Sequence, residues 1–239
     1  MKKEIKGVIF DLDDTLINAS RTIEKANKAV LNEMKKDFKE MNEELFKELD
    51  KKTNEKFNEV EFKERMKGLF YELFRTVSKM PFTEDHIRKY SDIFEEHIFN
   101  RIEFTEGVRE VIGMLKAEGL KIGLLTGEGY YPGSKTKTLE RIDFIKNFDV
   151  TVVAKVDIDE SKKTPDAFIK TASLMDLKPD EIIFVGDTPE TDIDNAKESG
   201  MLTVLFDMYN EEKRKKTKFE ADYIIDDMKE LYEILNVSI

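Results

Sequence analysis

Two aspartates two residues apart, Asp11 and Asp13, stand directly after the apolar run Gly7-Val8-Ile9-Phe10. A second run, Leu124-Leu125, ends in Thr126, and a third, Ile182 to Val185, ends in Gly186-Asp187-Thr188 with Asp192 five residues past Asp187. Lys162 and Lys163 precede Pro165. Crowded carboxylates repel one another, and holding them ionised takes a cation. An oxygen ligand set without His or Cys suits Mg2+, which takes a few carboxylates together with waters and substrate phosphate. One aspartate in such a site can attack phosphorus and form an aspartyl-phosphate. A second carboxylate can protonate the leaving oxygen and then activate water. A lysine and a threonine hydroxyl would neutralise and orient the phosphoryl oxygens. The chemistry expected of this set is phosphoryl transfer through a covalent intermediate.

These side chains need a scaffold that brings distant segments together. The apolar runs, joined by Val150 to Ala154, Leu202 to Phe206 and Tyr223 to Ile225, are short and continuous, as in parallel strands buried on both faces. Helical spacing lies between them, near Val108 to Gly119, Ser134 to Ile145, Pro165 to Met175, Pro189 to Ser199 and Met228 to Leu235. About six strands alternating with helices predict a doubly wound α/β sheet. Ligands of such sheets bind beyond the carboxyl ends of the strands, where the polar residues above would share one rim.

Residues 17–104 have a different texture, rich in Lys and Glu with apolar residues at three- and four-residue steps. Val30, Met34, Phe38, Met41 and Leu45 mark one predicted helical stripe, and Met66, Leu69, Phe70, Leu73 and Phe74 another. Pro81 followed by Thr83-Glu84-Asp85 predicts a break and a helix restart. The domain division expected is therefore a Rossmann-like core of residues 1–16 and 105–239, with an all-helical insertion of 17–104. Thr188-Pro189 reads as an N-cap with proline at the first helical position, His86 and His97 as helix-surface residues, and Glu211 to Lys218 as a solvated loop.

Phe10-Asp11-Leu12-Asp13-Asp14-Thr15-Leu16 resembles the first motif of the haloacid dehalogenase-like hydrolase superfamily. The resemblance continues through Leu124-Leu125-Thr126, Lys162 with Pro165 and Phe168, and Gly186-Asp187 with Asp192, in order and with a helical cap inserted after the first motif. It implies Asp11 as nucleophile and Asp13 as general acid/base, with Thr126 and Lys162 holding the phosphoryl group. It implies a Mg2+ site of Asp11, the backbone carbonyl of Asp13, Asp187, and Asp192 bound directly or through water. Dehalogenases of the superfamily lack the second aspartate, so Asp13 favours a phosphatase. Gly127-Glu128 departs from the Asn-Gly found after the second motif in many relatives, which removes a side-chain amide from that loop. The Lys-x-x-Pro spacing selects Lys162, with Lys163 the alternative.

Each position also has a plainer reading. An aspartate or threonine after a strand is often a helix cap, and Asp192 falls in a first helical turn where the macrodipole favours a carboxylate anyway. Only the whole set argues for chemistry. The 239 residues hold 40 basic and 51 acidic side chains, a net charge of −11, which speaks against nucleic acid or an anionic membrane as partner. With no cysteine and two histidines, a disulfide framework, a thiolate zinc site and a cysteine nucleophile are excluded. No apolar stretch approaches membrane-spanning length, and a cytoplasmic protein is expected. The partner expected is a small phosphorylated metabolite; the sequence assigns no oligomeric state. Two other readings stay open: a phosphomutase or phosphotransferase, and a non-catalytic binding module that recruits a partner through the helical insertion.

Overall fold

The computed structural model describes residues 4–207 and 218–235, so most of the charged run from Glu211 lies outside the described residues. In chain order, β1 (Gly7–Phe10) is followed by helices α1 (Ala19–Asp37), α2 (Glu43–Glu59), α3 (Leu69–Ser78), α4 (Glu84–Asn100) and α5 (Val108–Ala117). Next come β2 (Lys121–Thr126), α6 (Ser134–Leu139), β3 (Val150–Val153) and α7 (Pro165–Leu174). The chain closes with β4 (Ile182–Gly186), α8 (Asp194–Ser199), β5 (Leu202–Phe206), β6 (Tyr223–Ile225) and α9 (Leu231–Leu235). Two compact units result. One holds the segment up to Asn18, Phe104–Gly127 and the chain from Ile142; the other holds Ala19–Glu103 with Glu128–Arg141.

The first unit is an α/β sheet of six parallel strands in the order β3-β2-β1-β4-β5-β6. Its inner strands are buried along their length, as the continuous apolar runs require. Ile9, Leu125, Phe168 and Phe184 lie in one core cluster with Ala167, Met175 and Ala196. From β1 the chain works outward to one edge through β2 and β3; from β4 it works outward to the other through β5 and β6. The order therefore reverses between β1 and β4, which pair in register from Gly7 with Ile182 to Phe10 with Val185. A reversal of this kind opens a crevice at the carboxyl ends of the two strands. Those ends carry Asp11 and Asp187.

The second unit is helical. Its core gathers Val30, Met34, Phe46, Phe74, Phe82 and Tyr90, with the Phe74 and Phe82 rings stacked at 5.8 Å. Here the predicted stripe from Val30 to Leu45 is corrected: it spans two helices. α1 stops at Asp37, and Asn42 caps α2 by accepting from the Leu45 amide at 3.0 Å, because an Asn side chain at that position competes well with helix continuation. Met66 likewise lies before α3 and is exposed. The restart after Pro81 is present, with Thr83 as N-cap of α4. His86 is more than a surface residue: its Nδ1 accepts from the Thr83 amide at 3.1 Å and completes a capping box. The helix predicted from Ser134 to Ile145 ends at Leu139, and a 3-10 turn, Asp143–Asn147, follows. Among the described residues no helix is long and apolar enough to cross a membrane.

Candidate active site

Asp11 leaves β1 with its amide donating to the Val185 carbonyl at 2.9 Å, so the sheet ladder itself fixes its backbone. Its carboxylate is buried and accepts a hydrogen bond from Lys162 Nζ. Lys162 also contacts Asp192 Oδ1 at 2.7 Å, an ion contact without an aligned hydrogen bond, and lies 5.9 Å from the centroid of the Phe184 ring. The lysine arrives from the loop before α7. There Thr164 turns back on Ser161, its amide at 3.0 Å and its hydroxyl at 2.9 Å from the Ser161 carbonyl, which presents Lys162 inward. Lys163 on the same turn is exposed.

Asp187 follows β4, and its Oδ1 accepts from the Thr188 hydroxyl at 3.1 Å. Thr188 stands at the N-cap position with Pro189 opening the helix, as expected, but its side chain makes no cap hydrogen bond. The helix start is closed the other way round. Asp192, on a π-helical turn over Pro189–Ile193, accepts from the Thr188 amide through Oδ2 at 3.0 Å. Asp192 is 0% exposed and packs straight onto Gly186: a Cβ added there would meet Oδ2 at 2.4 Å. Only glycine leaves room for this carboxylate.

One carboxylate oxygen from each of Asp11, Asp187 and Asp192 lies within 4.8 Å of the other two. Three acids against one lysine leave the group short of positive charge. Burial, chiefly, pushes the Asp11 carboxyl up to about 8; Lys162 opposes this, and the charges of Asp192, Asp13 and Asp187 add to it. Burial also works against the Lys162 ammonium, yet the two aspartates outweigh it and raise its pKa. A cluster of three carboxylates, all oxygen and without His or Cys, fits a divalent cation.

The other sequence-selected residues fall nearby in the fold but not in that trio. Asp13 is half-buried, outside the three clustered carboxylates, and within electrostatic reach of Asp11. Thr126 ends β2, is fully buried, and its Oγ1 has no hydrogen-bond partner. A buried hydroxyl left unpaired is costly and fits a ligand oxygen that would satisfy it. Sequence reasoning passed over two contributors, the Phe184 ring and the Thr188 amide, because neither residue type is chemical by itself.

The haloacid dehalogenase-like hydrolase family description matches residues 8–206. The chain belongs to this family. It is 27% identical over 233 residues to pyrophosphatase PpaX of Bacillus mycoides, covering 98% of both chains. It is 30% identical over 251 residues to the glyceraldehyde 3-phosphate phosphatase of Pyrococcus furiosus, covering 98% of this chain and 94% of the relative. Among solved structures, the HAD hydrolase YfnB of Bacillus subtilis, described as bound to magnesium, superposes with a TM-score of 0.68 at 19% identity, covering 98% and 100% of the two chains. The structural likeness establishes the fold; the family match makes the chain a haloacid dehalogenase-like hydrolase.

Proposed function

We propose that this chain is a Mg2+-dependent phosphatase that hydrolyses a small phosphomonoester through an aspartyl-phosphate on Asp11. The observation that carries the reading is the cluster of Asp11, Asp187 and Asp192, the first and last in contact with Lys162, beyond the carboxyl ends of the two strands where the sheet order reverses. The two phosphatase relatives, similar over nearly the whole chain, support it. Asp11, Asp187, the carbonyl of Asp13 and Asp192, directly or through water, would hold the Mg2+. When bound, the cation neutralises the clustered carboxylates and charge on the transferring phosphoryl group.

An Asp11 carboxylate oxygen attacks phosphorus, forming the acyl-phosphate bond as the bond from phosphorus to the leaving oxygen breaks. The Asp13 carboxyl gives that oxygen its proton. Asp13, now a carboxylate, takes a proton from water as the water oxygen attacks phosphorus, releasing inorganic phosphate and regenerating the Asp11 carboxylate. Lys162 and Thr126 hold the non-bridging oxygens; Lys162 exchanges part of its contact with Asp11 for the incoming phosphate, and Thr126 gains the partner it lacks. The test is phosphate release from an aryl phosphate with and without Mg2+, for wild type and Asp11→Asn. The reading expects Mg2+-dependent release that the substitution abolishes. Release that survives Asp11→Asn overturns the nucleophile; with a sugar phosphate as substrate instead, a phosphorylated isomer accumulating without free phosphate points to a mutase.

A further inference from the structure

The loop after β1, which carries Asp11 and Asp13, is closed on itself. The Leu16 and Ile17 amides both donate to the Leu12 carbonyl, at 2.9 and 3.1 Å, and Asp14 adopts a left-handed φ of 56°. These local bonds make a turn, and a residue 90 positions away grips it as well. The buried Thr105 donates through Oγ1 to the Thr15 carbonyl at 2.7 Å, and its amide donates to the Leu16 carbonyl at 3.1 Å. Ile17 pairs antiparallel with Phe104 beside this grip. Thr105 in turn is fixed to α5, whose Val108 amide donates to the Thr105 carbonyl at 3.3 Å. α5 is held by the buried Val108, Val111, Ile112 and Leu115.

We propose that Thr105 is a positioning residue for Asp13. It ties the loop carrying the acid/base to a rigid helix, so the Asp13 carboxyl meets the leaving oxygen in line with its departure. The inference rests on the acid/base reading of Asp13. In the first step the proton of the Asp13 carboxyl passes to the leaving oxygen while the Asp11 oxygen bonds to phosphorus. A leaving group that is a poor base, such as nitrophenolate, departs without that proton; an alkoxide cannot. A displaced acid should therefore slow alkyl phosphates selectively, since small misplacements of a reacting group are costly.

The experiment compares turnover of a nitrophenyl phosphate and an alkyl phosphate by wild type, Thr105→Val, Thr105→Ala and Thr105→Ser. Valine keeps the shape and removes the donor; alanine supplies the same comparison should valine not accumulate as folded protein; serine restores the hydroxyl. The expectation is a loss on the alkyl ester about tenfold greater than on the aryl ester for both hydroxyl-free variants, with serine close to wild type. Equal losses on the two esters, or a serine variant as impaired as valine, overturn the proposal. Asp13→Asn is measured beside them. A leaving-group split there with none at Thr105 removes the positioning role alone, whereas no split at Asp13 removes the acid/base reading and the inference with it.

Discussion

Lys89 and Lys162 each lie between two carboxylates, and the two groups end in opposite electrostatic states. In the helical unit Lys89 reaches Glu33 at 2.7 Å and Asp37 at 2.9 Å, and the Tyr90 hydroxyl donates to Asp37 at 2.8 Å. Burial works against the Asp37 charge, but the hydrogen bonds from Lys89 and Tyr90 outweigh it and hold that carboxyl below its ordinary value. Glu33 is lowered likewise, by Lys36 and then Lys89. In the sheet unit Lys162, 12% exposed where Lys89 is 39%, faces Asp11 and Asp192, and Asp187 brings a third carboxylate. There burial wins and Asp11 is pushed up. A satisfied network fastens helices together. The frustrated one coincides with the site proposed for the chemistry.

The comparison breaks most visibly on the two aspartates. Asp11→Asn should lower Mg2+-dependent phosphate release on the order of 10⁴-fold or more, while Asp37→Asn leaves kcat unchanged; comparable losses would end the distinction. The lysines of the 161–164 turn give the next effect. Lys162→Met should cost about 10²- to 10³-fold in kcat/KM, and Lys163→Met should cost nothing. Gly186→Ala sharpens the steric side: the added carbon, 2.4 Å from Asp192 Oδ2, displaces that carboxylate. Mg2+ at a hundred times its Kd should stabilise wild type by about 2.7 kcal/mol, read as a rise in Tm, and the variant should lose that stabilisation.

The smallest effect belongs to the satisfied network. Asp37→Asn should destabilise the fold by roughly 1–2 kcal/mol near neutral pH, read by urea unfolding. Because the folded pKa of Asp37 is lowered, this contribution is present above the unfolded value and lost as pH falls below it through the folded value. The difference between wild type and variant should close in acid and persist at neutral pH. A difference constant through the acid range would show that the interaction is not ionic.

Much of this was legible in the residues. Continuous apolar runs marked the six strands of the sheet; the inner ones, buried on both faces, have no polar alternation to hide them, while in β6 Tyr223 and Ile224 are exposed. The rim residues followed from asking what stands after each run. The helical unit was harder. Apolar spacing carries through a short loop as smoothly as through a helix, so Phe38 and Met41 extended a stripe past the end of α1. The Asn42 cap marked the break and was available in the sequence. Thr105 had no local signal at all: its role comes from a hydrogen bond to a carbonyl 90 residues away. Likewise, only the packing of Asp192 on Gly186 explains why glycine ends β4.

The central claim is that Asp11 bonds covalently to phosphorus. It is tested most directly by acid-quenching the enzyme during turnover of a phosphomonoester labelled in its phosphoryl group, then mapping the label to a peptide. The account predicts Mg2+-dependent label on the peptide bearing Asp11, discharged by continued incubation and absent from Asp11→Asn. Steady phosphate release with no label on that peptide at any quench time would contradict it.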